Sequence, residues 1–213
     1  MPNALFSLGN KEGLIEVAAA LKELDPTWQF FGSKGTAEKL DQAHFDAIDI
    51  ATLVGDPSPD HLVVTLSAIH FGILADPERP DHMAWLAEHK LPYIDMVWVS
   101  LYDLEGAIVA QKSEAEVRAA TDMGGIALLR SGAKGRRLVS SNLRNTRRIL
   151  EWLRQGQPYE VGFRTWLAWQ AEKRAAEYCQ ASEMYLKSLI ISDTKYGIPD
   201  ICPPLFGIDI FDV

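Results

Sequence analysis

Trp28-Gln29-Phe30-Phe31-Gly32-Ser33-Lys34-Gly35-Thr36-Ala37 passes from a short apolar run through a glycine-bearing turn into a helical segment that extends to about His44. The same succession stands upstream. Ala4 to Leu8 is apolar and ends at Gly9-Asn10, and Lys11 to Leu24 then places apolar residues at helical spacing until Asp25-Pro26 stops it. Two strand–turn–helix units in a row imply parallel strands, because a helix crossing over a sheet returns the chain in the direction it started.

Working outward, Phe45 to Ala51 reads as a third strand, and the turn-rich stretch Gly55 to Asp60 separates it from the segment Leu62 to Leu74. Pro80 to His89 reads as a helix, Ile94 to Leu101 as the most continuously apolar strand, and Glu114 to Ala120 as a further helix. Asp122-Met123-Gly124-Gly125 opens a helix running to Lys134, followed by a last strand near Leu138 to Ser140. Thr146 to Arg154 and the long amphipathic stretch Phe163 to Leu189 are helical, and Ser192 to Val213 is rich in proline and glycine. The expected fold is α/β: a three-layer, mostly parallel open sheet with helices on both faces, with ligands bound at the carboxyl ends of its strands. The expected organisation is one domain over residues 1–142, a helical extension over 143–191 packed on it, and a tail over 192–213.

Composition narrows the function classes. The 213 residues are 47% hydrophobic, enough for one substantial core. The formal charge of −8 repels phosphate backbones, and Arg144, Arg147 and Arg148 read as a solvated helix face, so no nucleic-acid partner is expected. Cys179 and Cys202 support neither a disulfide framework nor a cysteine metal site, and the five histidines lack ligand spacing, so no metal or organic cofactor is expected. No apolar run approaches the roughly 18 residues of a membrane span, and the N-terminus lacks a basic leader. A cytoplasmic location is expected.

Four loops carry chemistry. In Ser33-Lys34-Gly35-Thr36 a glycine admits close approach of a ligand, and the unpaired N–H groups of a helix start attract anions. Ser and Thr also cap helices, so this turn alone is a weak phosphate signature. Lys11, following Ser7 and Gly9, brings a compact positive charge to the same edge of the sheet, or else is a solvated lysine on a first helical turn. Asp122 either caps the helix that follows it or faces a ligand, and Lys134 stands at that helix's end, where a cation suits the dipole. Tyr102, just after the apolar strand, offers a hydroxyl and a backbone N–H, or simply packs.

Taken together these pieces resemble one family from about Ala4 to Leu189. Ala4-Leu5-Phe6-Ser7-Leu8-Gly9-Asn10-Lys11, Ser33-Lys34-Gly35-Thr36-Ala37, the strand ending Ser100-Leu101-Tyr102, and Thr121-Asp122-Met123-Gly124-Gly125 leading to Lys134 are similar, in order and spacing, to the IMP cyclohydrolase domain of the bifunctional enzyme that completes purine biosynthesis. The resemblance implies a methylglyoxal synthase-like fold, a purine ribotide as ligand, and ring closure to IMP without a cofactor. It implies Lys134, Asp122 and Tyr102 as catalytic residues, and Ser7, Lys11, Ser33, Lys34, Gly35, Thr36, Thr65, Ser100, Gly124 and Gly125 as the substrate- and phosphate-binding set.

The departures are Gly9 for a serine, Lys34 for a glycine, Ser100 for an asparagine and, most seriously, Val64 where the family carries an active-site lysine. Valine neither donates a proton nor stabilises an anion, so His61 or Lys34 would have to substitute, or the function is lost or unnecessary. The alternatives are therefore a non-catalytic or regulatory ribotide-binding paralogue and a related enzyme acting on another phosphorylated substrate. Only a faint echo of the family's transformylase half follows, at Lys195-Tyr196-Gly197, so formylated substrate is expected from a separate protein. The long helix offers a face for a homodimer.

Overall fold

The computed structural model describes residues 1–54 and 67–192. Five strands, β1 (Asn3–Leu8), β2 (Gln29–Gly32), β3 (Ala47–Asp49), β4 (Met96–Ser100) and β5 (Leu138–Ser140), form one sheet in the order β3-β2-β1-β4-β5. Every pairing is parallel, with Phe6 opposite both Gly32 and Trp98, and Leu8 opposite Ser100. From β1 the chain moves outward to β2 and β3, then returns to the other side of β1 at β4. That reversal opens a crevice beyond the carboxyl ends of β1 and β4, the natural ligand position in such a sheet.

Between the strands run α1 (Leu14–Leu24), α2 (Lys34–Gln42), α3 (Ile50–Val54), α4 (Ser67–Leu74), α5 (Pro80–Glu88), α6 (Leu104–Val109), α7 (Glu114–Ala119) and α8 (Gly124–Lys134). After β5 come α9 (Leu143–Arg154) and the 33-residue α10 (Glu160–Ser192). Alternate strand residues point to opposite faces. On one face Phe6 meets Phe30 at 5.7 Å and Trp98 edge-on at 5.9 Å. On the other, Val97 and Val139 meet Gly132 of α8. Ile149, Leu150 and Trp152 of α9 and Leu167, Ala168 and Ala171 of α10 join the same hydrophobic cluster as the strands. Each large side chain buried there contributes about 1.5–3 kcal/mol.

Three differences from the sequence reading have local causes. The strand expected over Phe45 to Ala51 shortens to β3 because Asp49 turns the chain into α3, its Oδ1 accepting from Ala51 N at 3.0 Å and its carbonyl accepting from Thr52 Oγ1 at 2.7 Å. The first helix begins at Leu14 rather than Lys11, because Gly13 takes φ 74°, a left-handed conformation that glycine adopts without steric cost. The unanticipated helix α6 is a short piece that Asp103 starts, its Oδ1 accepting from Gly106 N at 3.0 Å.

Candidate functional site

The crevice holds a cavity of about 390 Å³ lined by Ser7, Lys11, Ser33, Lys34, Gly35, Thr36, Ser100, Tyr102, Asp122 and Gly125. Four loops from different parts of the chain thus converge on one space. Two larger hollows, of about 470 and 480 Å³, lie elsewhere and share no residue with it.

One wall is the turn between β2 and α2. Ser33 ends the extended backbone, its carbonyl accepts from Thr36 N at 2.7 Å and Ala37 N at 2.9 Å, and its side chain makes no cap. The first turn of α2 therefore faces the cavity with the positive end of its dipole. Lys11 Nζ donates to the Leu8 carbonyl at 3.2 Å and lies 3.7 Å from where a side chain on Gly35 would begin, so its charge sits over the same turn. Thr36 is fully buried, and its Oγ1 accepts from Leu8 N at 3.3 Å while lying 3.3 Å from Ser33 Oγ. Its hydroxyl joins the end of β1 to α2, with Ser33 outermost.

Ser100 ties the adjoining loops together: its Oγ accepts from Asn10 N at 2.8 Å, and its carbonyl accepts from Gly9 N at 3.0 Å. Tyr102 follows on the rim, half exposed.

The opposite wall is Asp122. Its Oδ1 accepts from Gly125 N at 2.6 Å, capping the first turn of α8, and its Oδ2 accepts from Tyr102 N at 3.3 Å. Burial raises the Asp122 pKa above the usual aspartate range, against the opposing pull of these two N–H groups. A Cβ on residue 125 would fall 2.7 Å from Asp122 Oδ2 and from Leu101 Cδ2, so glycine is what lets the carboxylate lie against the helix start. Tyr178, fully buried on α10, accepts from Asp122 N at 2.8 Å and donates to the Ala120 carbonyl at 2.9 Å.

Lys134 is not brought to this cavity. It is exposed at the far end of α8, about 16 Å along the axis from the turn that Asp122 caps, as expected for an 11-residue helix. Asp122 and Lys134, both implied as catalytic by the resemblance, are therefore not brought together within one chain. Gly124 is buried in the first turn of α8 and does not line the cavity. Thr65, Val64 and His61 lie outside the described residues. Two contributors escaped the sequence reading: Glu38, one turn after Lys34 and on the same cavity wall, and Tyr178. The spacing of Lys34 and Glu38 was a readable sign of a shared helix face. Tyr178 had none.

Among the described residues no cluster of three or more potential metal ligands occurs, and no helix is long and apolar enough to cross a membrane.

No protein-family model matches the chain. Individual relatives do. The chain is 34% identical over 205 residues to the bifunctional purine biosynthesis protein PurH of Chloroflexus aurantiacus, covering 94% of this chain and 38% of that protein. It is 32% identical over 187 residues to PurH of Lactococcus lactis subsp. lactis, covering 86% and 36%. This chain is a divergent relative of the IMP cyclohydrolase domain of PurH. A solved structure, that of ForH, superposes on 85% of the chain and 97% of its own length with a TM-score of 0.68 and 25% sequence identity. The PurH relation thus extends through the sheet and its covering helices. The chain spans about a third of the length of these two curated relatives.

Proposed function

We propose that the chain closes the purine ring of a formamidoimidazole-carboxamide ribotide, giving IMP and water. The observation that carries this reading is the sharing of one cavity by an anion-attracting helix start and a half-buried carboxylate, Asp122, on its opposite wall. In this reading the ribotide phosphate rests on the N–H groups of the Ser33 to Thr36 turn and on Lys11. The base then extends toward Asp122 and Tyr102. The carboxamide nitrogen attacks the formyl carbon, and Asp122 takes the proton it loses and returns it to the formyl oxygen held by the Tyr102 hydroxyl. The resulting carbinol then leaves as water, the C–O bond breaking as a nitrogen flanking that carbon gives up its remaining proton and the C=N bond forms. Burial suits Asp122 to the task, because a carboxylate of raised pKa is a stronger base.

Incubating purified protein with the formylated ribotide and following IMP by absorbance tests the reading. IMP formation that Asp122→Asn lowers at least 100-fold is expected, a loss typical of removing a general base. No IMP from the wild-type chain would overturn it.

A second reading is favoured by two particulars: Val64 in place of the family lysine, and the exposure of Lys134 away from the cavity. On that reading the chain binds a purine ribotide without turning it over. Calorimetry with IMP separates the two, since binding without product supports only the second. Both readings extend to a cytoplasmic homodimer, for which Met184 and Leu186, 61% and 56% exposed on the last turns of α10, offer apolar surface; light scattering in solution tests it.

A further inference from the structure

We propose that Tyr178 is a positioning residue for Asp122, so that the long C-terminal helix belongs to the site rather than merely covering the sheet. The functional consequence rests on the ring-closure reading; the positioning itself rests on geometry. The Tyr178 hydroxyl uses both of its hydrogen-bonding capacities on one short connection, accepting from Asp122 N at 2.8 Å and donating to the Ala120 carbonyl at 2.9 Å. Ala120 caps the carboxyl end of α7 and Asp122 precedes α8, so a single phenol clamps the link between the two helices from both sides. From that link the Asp122 carboxylate reaches Tyr102 N and Gly125 N and faces the cavity.

The ring is held as firmly as the hydroxyl. Tyr178 is 1% exposed and packs with Leu104, Ala107 and Val117, a cluster separate from the main core. Arg174, one turn earlier on α10, places its guanidinium 5.5 Å from the Tyr178 ring centroid and donates to Glu105 Oε1 of α6 at 2.6 Å. Position therefore passes from Glu105 and Arg174 to Tyr178, then to the Asp122 backbone, and then to the carboxylate. Burial pushes the Tyr178 pKa up to about 12, so the phenol remains a donor to Ala120 throughout the neutral and mildly alkaline range. On the opposite wall Ser33 and Thr36 are neighbours in sequence, and Thr36 Oγ1 ties their turn to the end of β1 by accepting from Leu8 N at 3.3 Å, with no residue of α10 involved.

The test is Tyr178→Phe in the full chain, which keeps the ring and removes only the hydroxyl, with Tyr185→Phe as a matched control on the same helix and against the same cluster. Two readouts are taken: amide hydrogen exchange at Tyr102, Asp122 and Gly125, and kcat beside the Kd for IMP. Tyr178→Phe is expected to speed exchange at those three amides at least tenfold. Exchange at Leu5 and Phe31 in β1 and β2 should be unchanged. The same variant should lower kcat about ten- to hundredfold, since small misplacements of a reacting group cost that much, while the IMP Kd stays within twofold. Tyr185→Phe should change none of these. Unaltered exchange at the three amides overturns the positioning role, and so does an unaltered kcat in an active enzyme. A wild-type chain that forms no IMP overturns the ring-closure reading instead, and the exchange rates then decide the positioning role alone. If Tyr178→Phe does not fold, the same amides are read in Arg174→Gln, which loosens the ring, and unaltered exchange there overturns the proposal.

Discussion

The two walls of the cavity are built differently. The Ser33–Thr36 wall is mostly local: Ser33, Lys34, Gly35 and Thr36 are consecutive, and their geometry follows from the end of β2 and the start of α2. The end of β1 and the loop after it join them through Leu8 N, which donates to Thr36 Oγ1, and through Lys11. The Asp122 wall is assembled at long range. Its carboxylate bonds to Tyr102 N, 20 residues back, and its own N–H bonds to Tyr178, 56 residues ahead. The first wall requires two paired strands and the helix start that follows β2, whereas the other requires three helices to be packed first. The Ser33–Thr36 wall is accordingly the more tolerant of change in α7, α8 and α10.

The sharpest way to break this contrast is Asp122→Asn. Turnover should fall at least 100-fold while IMP affinity changes by less than threefold, measured by steady-state assay and calorimetry. A parallel loss of affinity would show that the two walls do not act separately. Next comes Gly125→Ala. The new methyl group would meet the Asp122 carboxylate and Leu101, and the resulting overpacking should cost about 1–3 kcal/mol in urea unfolding, with a loss of turnover.

On the local wall, Lys11→Ala should weaken IMP binding about tenfold, equivalent to about 1.4 kcal/mol, with unfolding stability nearly unchanged. The smallest effect concerns pH. The folded-state pKa of Asp122 is raised, so the folded protein binds its proton more tightly than the unfolded chain does. That contribution to stability is fully present below the ordinary aspartate pKa, about 3.9, and is lost as pH rises through the higher folded value. Replacing Asp122 by Asn should remove this slope from a series of urea titrations across that window. The acid limb of wild-type kcat should likewise lie above the ordinary aspartate range.

How much of the site was legible in the sequence follows the same division. The Ser33 to Thr36 turn could be read because glycine and serine between an apolar run and a helical period have a restricted set of conformations. The capping role of Asp122 could be read too, three residues before a glycine at a helix start, and the structure realises it through Gly125 N. Thr36 was placed in the binding set and lines the cavity, and the bond that its buried hydroxyl accepts from Leu8 N, between neighbouring strand and helix, is one that no spacing reveals. Lys134 was named beside Asp122 as a catalytic residue on the strength of a resemblance. An intervening α-helix places the two at opposite ends of a rigid rod.

By itself the sequence determined the alternation of strands and helices, the parallel sense of the sheet and the position of the glycine-bearing turn that opens α2. Hydrophobic period, helix stops and turn residues act between near neighbours and need no fold to operate. Only the tertiary structure decided the strand order β3-β2-β1-β4-β5, and with it which loops meet beyond β1 and β4. It also decided that α10 returns across α8 to place the Tyr178 hydroxyl on the Asp122 backbone. Those outcomes depend on which apolar faces bury one another across long stretches of chain, and burial is non-directional until packing selects a single arrangement.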